Sequence, residues 1–138
     1  MAHNVNWYIE NRIIYFHVYG DVSTSELSEI NTKIDACLDV GHAPVHLIVN
    51  DSDTDKMPAN IRELKKNLTF MSHPNIGIAV GVGEVNPVLR FLLPIVVKMA
   101  GINYVRRHTI AEALDYIRQY DPAIDWQYVD DGVLLRDR

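Results

Sequence analysis

At 138 residues the chain has room for one substantial hydrophobic core and little for a second. Hydrophobic residues make up 48% and charged residues 22%, a balance that excludes a disordered or fibrous chain. A formal charge of -5 disfavours nucleic acid and anionic membrane as partners, and Cys37, the single cysteine, excludes an intrachain disulfide. The opening MAHNVNWYIE has neither the basic patch nor the apolar run of a signal peptide, so a cytoplasmic location is expected.

Between Val5 and Val18 two runs rich in Ile, Val, Tyr and Phe flank the polar Glu10-Asn11-Arg12, which predicts an opening hairpin. Ser23-Thr24-Ser25-Glu26 fits a capping box. Leu27, Ile30, Ile34, Cys37 and Leu38 then follow at helical spacing, with Gly41 as the stop. VHLIV after Pro44 predicts a buried strand feeding an acidic loop from Asn50 to Lys56. Ile61, Leu64, Leu68 and Met71 mark a second helix, which His73-Pro74-Asn75 ends before the strand IGIAVGV. Asn86 as cap and Pro87 at the first turn open a third helix that Gly101 closes. A strand around Tyr104 to Arg107 leads into a last helix, introduced by the capping box Thr109-Ile110-Ala111-Glu112 and ending near Pro122. The order is β-β-α-β-α-β-α-β-α, an α/β domain with a single mixed, mostly parallel sheet over residues 1–122. Residues 123–138 form a tail in which Asp131-Gly132 signals a hairpin that docks on the domain or on a second subunit.

This order of elements resembles the STAS-like family, which includes the anti-sigma-factor antagonists and a branch grouped with CRAL-TRIO lipid-binding domains. The resemblance runs from about Asn6 to Tyr120: IIYFHVYGDVSTSELSEINTKI, then VHLIVND, then NPVLRFLLPIVVKMAGINYVRRHTIAEALDYI. It implies a mixed sheet with helices largely on one side, protein binding as the mode of action, and no intrinsic enzyme activity. The antagonists carry a phosphorylatable Asp-Ser-x-Gly motif at the helix after the third strand. The matching positions here read Met57-Pro58-Ala59-Asn60-Ile61, so that switch is not carried over.

Other constellations point to bland roles. Asp51, Asp53 and Asp55 have the alternation that begins a calcium loop, but Lys56 stands where a glycine is needed and Arg62 where a bidentate glutamate is needed. Gly81-Val82-Gly83-Glu84-Val85-Asn86 follows a strand and opens a helix, yet it lacks the third glycine of a dinucleotide fingerprint, and Glu84 would repel a phosphate. Cys37, His42 and His46 offer at most three ligands on three different elements, so no metal site is expected. No nucleophile motif and no cofactor motif is present.

The third helix is apolar nearly all round, interrupted only by Arg90 and Lys98, and it is too short and charged to span a membrane. Three coverings are consistent with it: flanking helices and the tail, a second copy of the chain, or a small apolar, lipid-like ligand. Leu89, Leu92, Leu93 and Val96 are the expected dimer or ligand residues. Asp51, Ser52, Asp53, Thr54, Asp55 and Asn60 are the expected surface for an unidentified protein partner, because open α/β sheets bind at the carboxyl ends of their strands. The sequence thus reads as a non-enzymatic regulatory or protein-interaction module, with homodimerisation expected.

Overall fold

The computed structural model describes residues 3–58, 60–85 and 87–134. The elements are β1 (His3–Ile9), β2 (Ile13–Asp21), α1 (Thr24–Val40), β3 (Val45–Lys56), α2 (Ile61–Asn67), β4 (Ile76–Val82), α3 (Pro87–Ala100), β5 (Asn103–Arg107) and α4 (Ile110–Tyr120), with 3-10 turns at Thr69–Ser72, Trp126–Tyr128 and Asp131–Leu134. The predicted order is therefore the observed one. Ser23 and Thr109 cap α1 and α4, their hydroxyls accepting from the Glu26 and Glu112 backbone N–H groups. In the first box the Glu26 carboxylate accepts from the buried His3 ring, 2.6 Å away, and so pins the start of β1 to α1. The Asn86 cap lies outside the described residues.

The strands form one sheet in the order β1-β2-β3-β4-β5, with β1 antiparallel to β2 and every later pair parallel. All three parallel connections step across the sheet in the same direction. The preference for right-handed crossovers therefore sends them to one face, and there α1, α2 and α3 pack, through Leu27, Ile30, Ile34, Leu64, Leu92 and Val96, on Ile14, Phe16 and Leu47. The last helix follows no crossover. It turns onto the opposite face, where Ala113 and Ile117 meet Ile13, Tyr15, Ile48 and Val80.

Three expectations are corrected. The acidic segment after VHLIV is not a loop but the distal half of β3: Asp53, Thr54 and Lys56 pair with Tyr19, Gly20 and Asp21. The second helix is shorter than its apolar spacing suggests, and Phe70 and Met71 enter the core from a 3-10 turn. Among the described residues the tail forms two 3-10 turns in place of the hairpin; they lie on the α4 face, with Val129 bridging Ile9 and with Ile124 and Val133 buried. The described part of the tail therefore packs on its own domain, away from α3.

His46 shows how the sheet tolerates a polar side chain at its centre. The pairing of β3 with β4 slips between Val45 and Leu47, and the buried His46 ring fills the gap, its Nδ1 accepting from the Ile78 N–H at 3.1 Å. A Cβ on Gly77 would run into that ring, which is why only glycine fits there.

Candidate functional site at the carboxyl edge of the sheet

The carboxyl ends of β3, β4 and β5 meet in a rim whose core is an ion pair. Arg106 reaches from β5 across β4 and donates through Nη2 to both Asp51 oxygens at 3.0 Å and to the Tyr104 hydroxyl at 2.9 Å. Its Nη1 donates to the Val82 and Gly83 carbonyls, at 3.3 Å and 3.0 Å. Gly81 leaves room for this crossing, because a Cβ there would stand 2.8 Å from the guanidinium carbon. Burial pushes the Asp51 carboxyl above its usual range, and the neighbouring guanidinium only partly opposes it. Asp51 is thus a supporting group of the interior.

On the α4 side of β3 a second set of bonds stiffens the rim. Asn50 donates to the Tyr15 hydroxyl at 3.0 Å, and Ser52 donates to the Asn50 side-chain carbonyl at 2.9 Å. The buried His17 ring, between Tyr15 and Tyr19, binds the Asp53 carboxylate through Nε2 at 2.9 Å. Gly83, at a φ of +79°, turns the chain out of β4 so closely over Ser52 that a Cβ would fall 2.8 Å from the serine Cβ.

The sequence-derived partner set divides accordingly. Asp51 and Thr54 are buried, Thr54 donating to the Val18 carbonyl, whereas Ser52, Asp53 and Asp55 are exposed. Asn60 is exposed and caps α2, its Oδ1 accepting from the Arg62 and Glu63 backbone N–H groups. The pairing of β3 with β4 ends at Asn50 and Val82, while that with β2 runs on to Lys56, so Ser52–Lys56 stand above the rest of the sheet as one side of a two-stranded lip. Sequence reasoning missed Arg106, Tyr104 and His17. The available signal was an arginine in a five-residue strand, which needs a buried partner.

The α3 set is placed largely in the core. Leu89, Leu92 and Val96 are buried, and Leu93 lines a small cavity beneath the helix, so these residues hold the helix to its own domain. α3 exposes the large hydrophobic side chains of Val88, Phe91 and Met99, and also Pro87 and Pro94. The cavity, about 50 Å³, lies between the sheet, α1, the Thr69–Ser72 turn and α3, with Phe16, Leu27, Phe70, Val97, Asp51 and Tyr104 among its walls. Among the described residues no helix is long and apolar enough to cross a membrane, and no group of three or more His, Cys, Asp or Glu is placed to hold a metal ion.

A five-stranded sheet opened by an antiparallel pair, with three crossover helices on one face and a fourth on the other, has the STAS-like α/β fold. The solved structure of the anti-sigma factor antagonist SpoIIAA in its unphosphorylated form is similar to this chain, with a TM-score of 0.57 over 85% of this chain and 98% of that one. The two are 16% identical, and the likeness is one of fold. No family model and no curated protein matches the sequence.

Proposed function

We propose that the chain is a regulatory protein-interaction module that works without catalysing a reaction, and that it meets its partner at the lip formed by the distal half of β3. The observation that carries this reading is the lip itself: a strand that outruns its neighbour β4 and presents the exposed Asp53 and Asp55, the first held by His17, on a base locked by Asp51 and Arg106. Rigid, exposed charge of this kind selects and steers a partner. The likeness in fold to an anti-sigma factor antagonist, a protein named for its effect on another protein, supports the same class of action.

The apolar-ligand reading has less behind it. A cavity of about 50 Å³ is far smaller than the roughly 150 Å³ of an engineered cavity that takes benzene, and smaller still than an acyl chain needs. A homodimer resting on Leu92 and Val96 is disfavoured because those side chains are inside the core.

Site-directed cross-linking tests the proposal. With Cys37 replaced by Ser, a cysteine is placed at Ser52 and carries a photo-cross-linker in an extract of the cells that make the protein. A discrete adduct with another polypeptide is expected, absent when the cross-linker sits at the exposed Glu29 of α1. Identical adducts from both positions contradict an interface at the lip.

A further inference from the structure

The face opposite in charge to the lip lies along α2 and α3. The two helices carry Arg62, Lys65, Lys66, Arg90 and Lys98 against the single carboxylate of Glu63, a net charge of +4. The whole chain carries -5, which leaves -9 on everything else. All five cations are exposed, and among the described residues none of them pairs with a carboxylate. Arg12 and Arg106, by contrast, each have a carboxylate partner.

The same face is apolar. Val88, Phe91 and Met99 are 51%, 70% and 52% exposed. At 100° per residue they fall within about 80° of one another on α3; Lys98 lies about 20° beyond Phe91 and Arg90 about 100° beyond it, both on the flank away from Leu92. Beside them Asn60, Ile61, Arg62, Glu63 and Leu92 line a groove where the first turn of α2 meets α3. The tail packs on the other face of the sheet, so nothing in the described chain covers this one.

We infer that the α2–α3 face is a second docking surface and that its occupant is an acidic amphipathic helix of another protein, laid with its apolar residues on Phe91 and Val88 and its carboxylates on the cations to either side. Charge complementarity fixes the sign of the partner, since unpaired cations on the two helices of an acidic protein favour an anionic occupant. A row of exposed apolar side chains with Arg62 of α2 on the Leu92 side and Lys98 on the other matches the apolar stripe and charged flanks of such a helix. The inference is independent of the lip, which is acidic and lies at the sheet edge.

The test uses the intact protein and a labelled synthetic helix of about 20 residues, with Leu at helical spacing and Glu elsewhere, followed by fluorescence anisotropy. A counterpart peptide carries Lys in place of Glu. The acidic peptide is expected to bind with an affinity that falls as salt rises, and the basic one not to bind. The triple variant Lys65→Glu, Lys66→Glu, Arg90→Glu is expected to lose about tenfold or more, as is Phe91→Ser, both with unchanged melting temperature because the residues are exposed. Equal binding of both peptides, or no loss in either variant, overturns the proposal. Two further results also overturn it. Stronger retention by vesicles of phosphatidylcholine and phosphatidylserine than by the peptide assigns the face to a membrane; a concentration-dependent mass abolished by Phe91→Ser assigns it to a second copy.

Discussion

Two buried polar networks set what single residues do in this fold. Asp51 keeps its buried place because Arg106 answers it with two hydrogen bonds, so removing the cation leaves a carboxylate in the interior with nothing opposite. Arg106→Leu is expected to cost about 3 kcal/mol in urea unfolding, and a cost below about 1 kcal/mol would show the pair to be ornamental. At the other end of the sheet His46 Nδ1 accepts from Ile78, so Nε2 carries the proton and donates to Asp121 at 2.9 Å. The groups facing the ring are Asp121, Arg12 through that carboxylate, and Tyr120, whose ring it meets edge-on. Burial lowers the His46 value, more than Asp121 restores, so the native ring resists a proton that the unfolded chain takes up. Stability linked to this group is therefore present above about pH 6.5, the ordinary histidine value, and is lost as pH falls below it. Asp121 acts lower down: burial raises its value, but His46 and Arg12 together outweigh that and depress it, so its contribution is lost only as pH falls below the ordinary value of 3.8. Unfolding free energies at pH 7.5 and 5.5 are expected to differ clearly in the wild type and to converge in His46→Gln. An equal slope in both would remove His46 from this account.

Elements were legible where a period and a cap coincided. Ser23 and Thr109 announced α1 and α4 because a hydroxyl followed by Glu three residues on has a definite geometric use. The third helix was readable in extent but not in orientation, since a sequence apolar on every side does not say which side is buried. The structure separates neighbours: Leu92 is 9% exposed and Phe91 70%. Leu92→Asp is expected to unfold the chain or cost more than about 3 kcal/mol, whereas Phe91→Asp stays within about 0.5 kcal/mol. Thermal melts of the pair decide it, and similar losses would mean that the helix is rotated from the described position. The distal half of β3 was misread for the opposite reason. Asp and Ser are poor strand formers, and what makes Asp51–Lys56 a strand is the partner β2 beside it and Arg106 beneath it, both far away in sequence.

For the molecule as a whole, the tail is part of the fold. Asp130 donates its backbone N–H to the Tyr8 carbonyl at 2.8 Å, Tyr8 donates its hydroxyl to Asp131 at 2.7 Å, and Arg118 lies over the Trp126 ring. Ending the chain at Pro122 strips the cover from Tyr8 and Ile9, and the melting temperature is expected to fall by more than about 5 °C; an unchanged melt would make residues 123–134 an appendage. With the described tail on the α4 face and three helices on the other, the two surfaces proposed for partners are the acidic lip and the basic, apolar α2–α3 face. The sequence pointed to the region of the first through the rule that open sheets bind at their carboxyl ends, but it hid the second, because α2 and α3 become neighbours only in the fold. The most direct test of the interaction reading is quantitative affinity capture from an extract of the producing cells, comparing the wild type with Asp53→Lys/Asp55→Lys at matched amounts and equal melting temperature. The account predicts at least one protein retained by the wild type and reduced about tenfold or more by the charge reversal; the same set retained in the same amounts by both would contradict it.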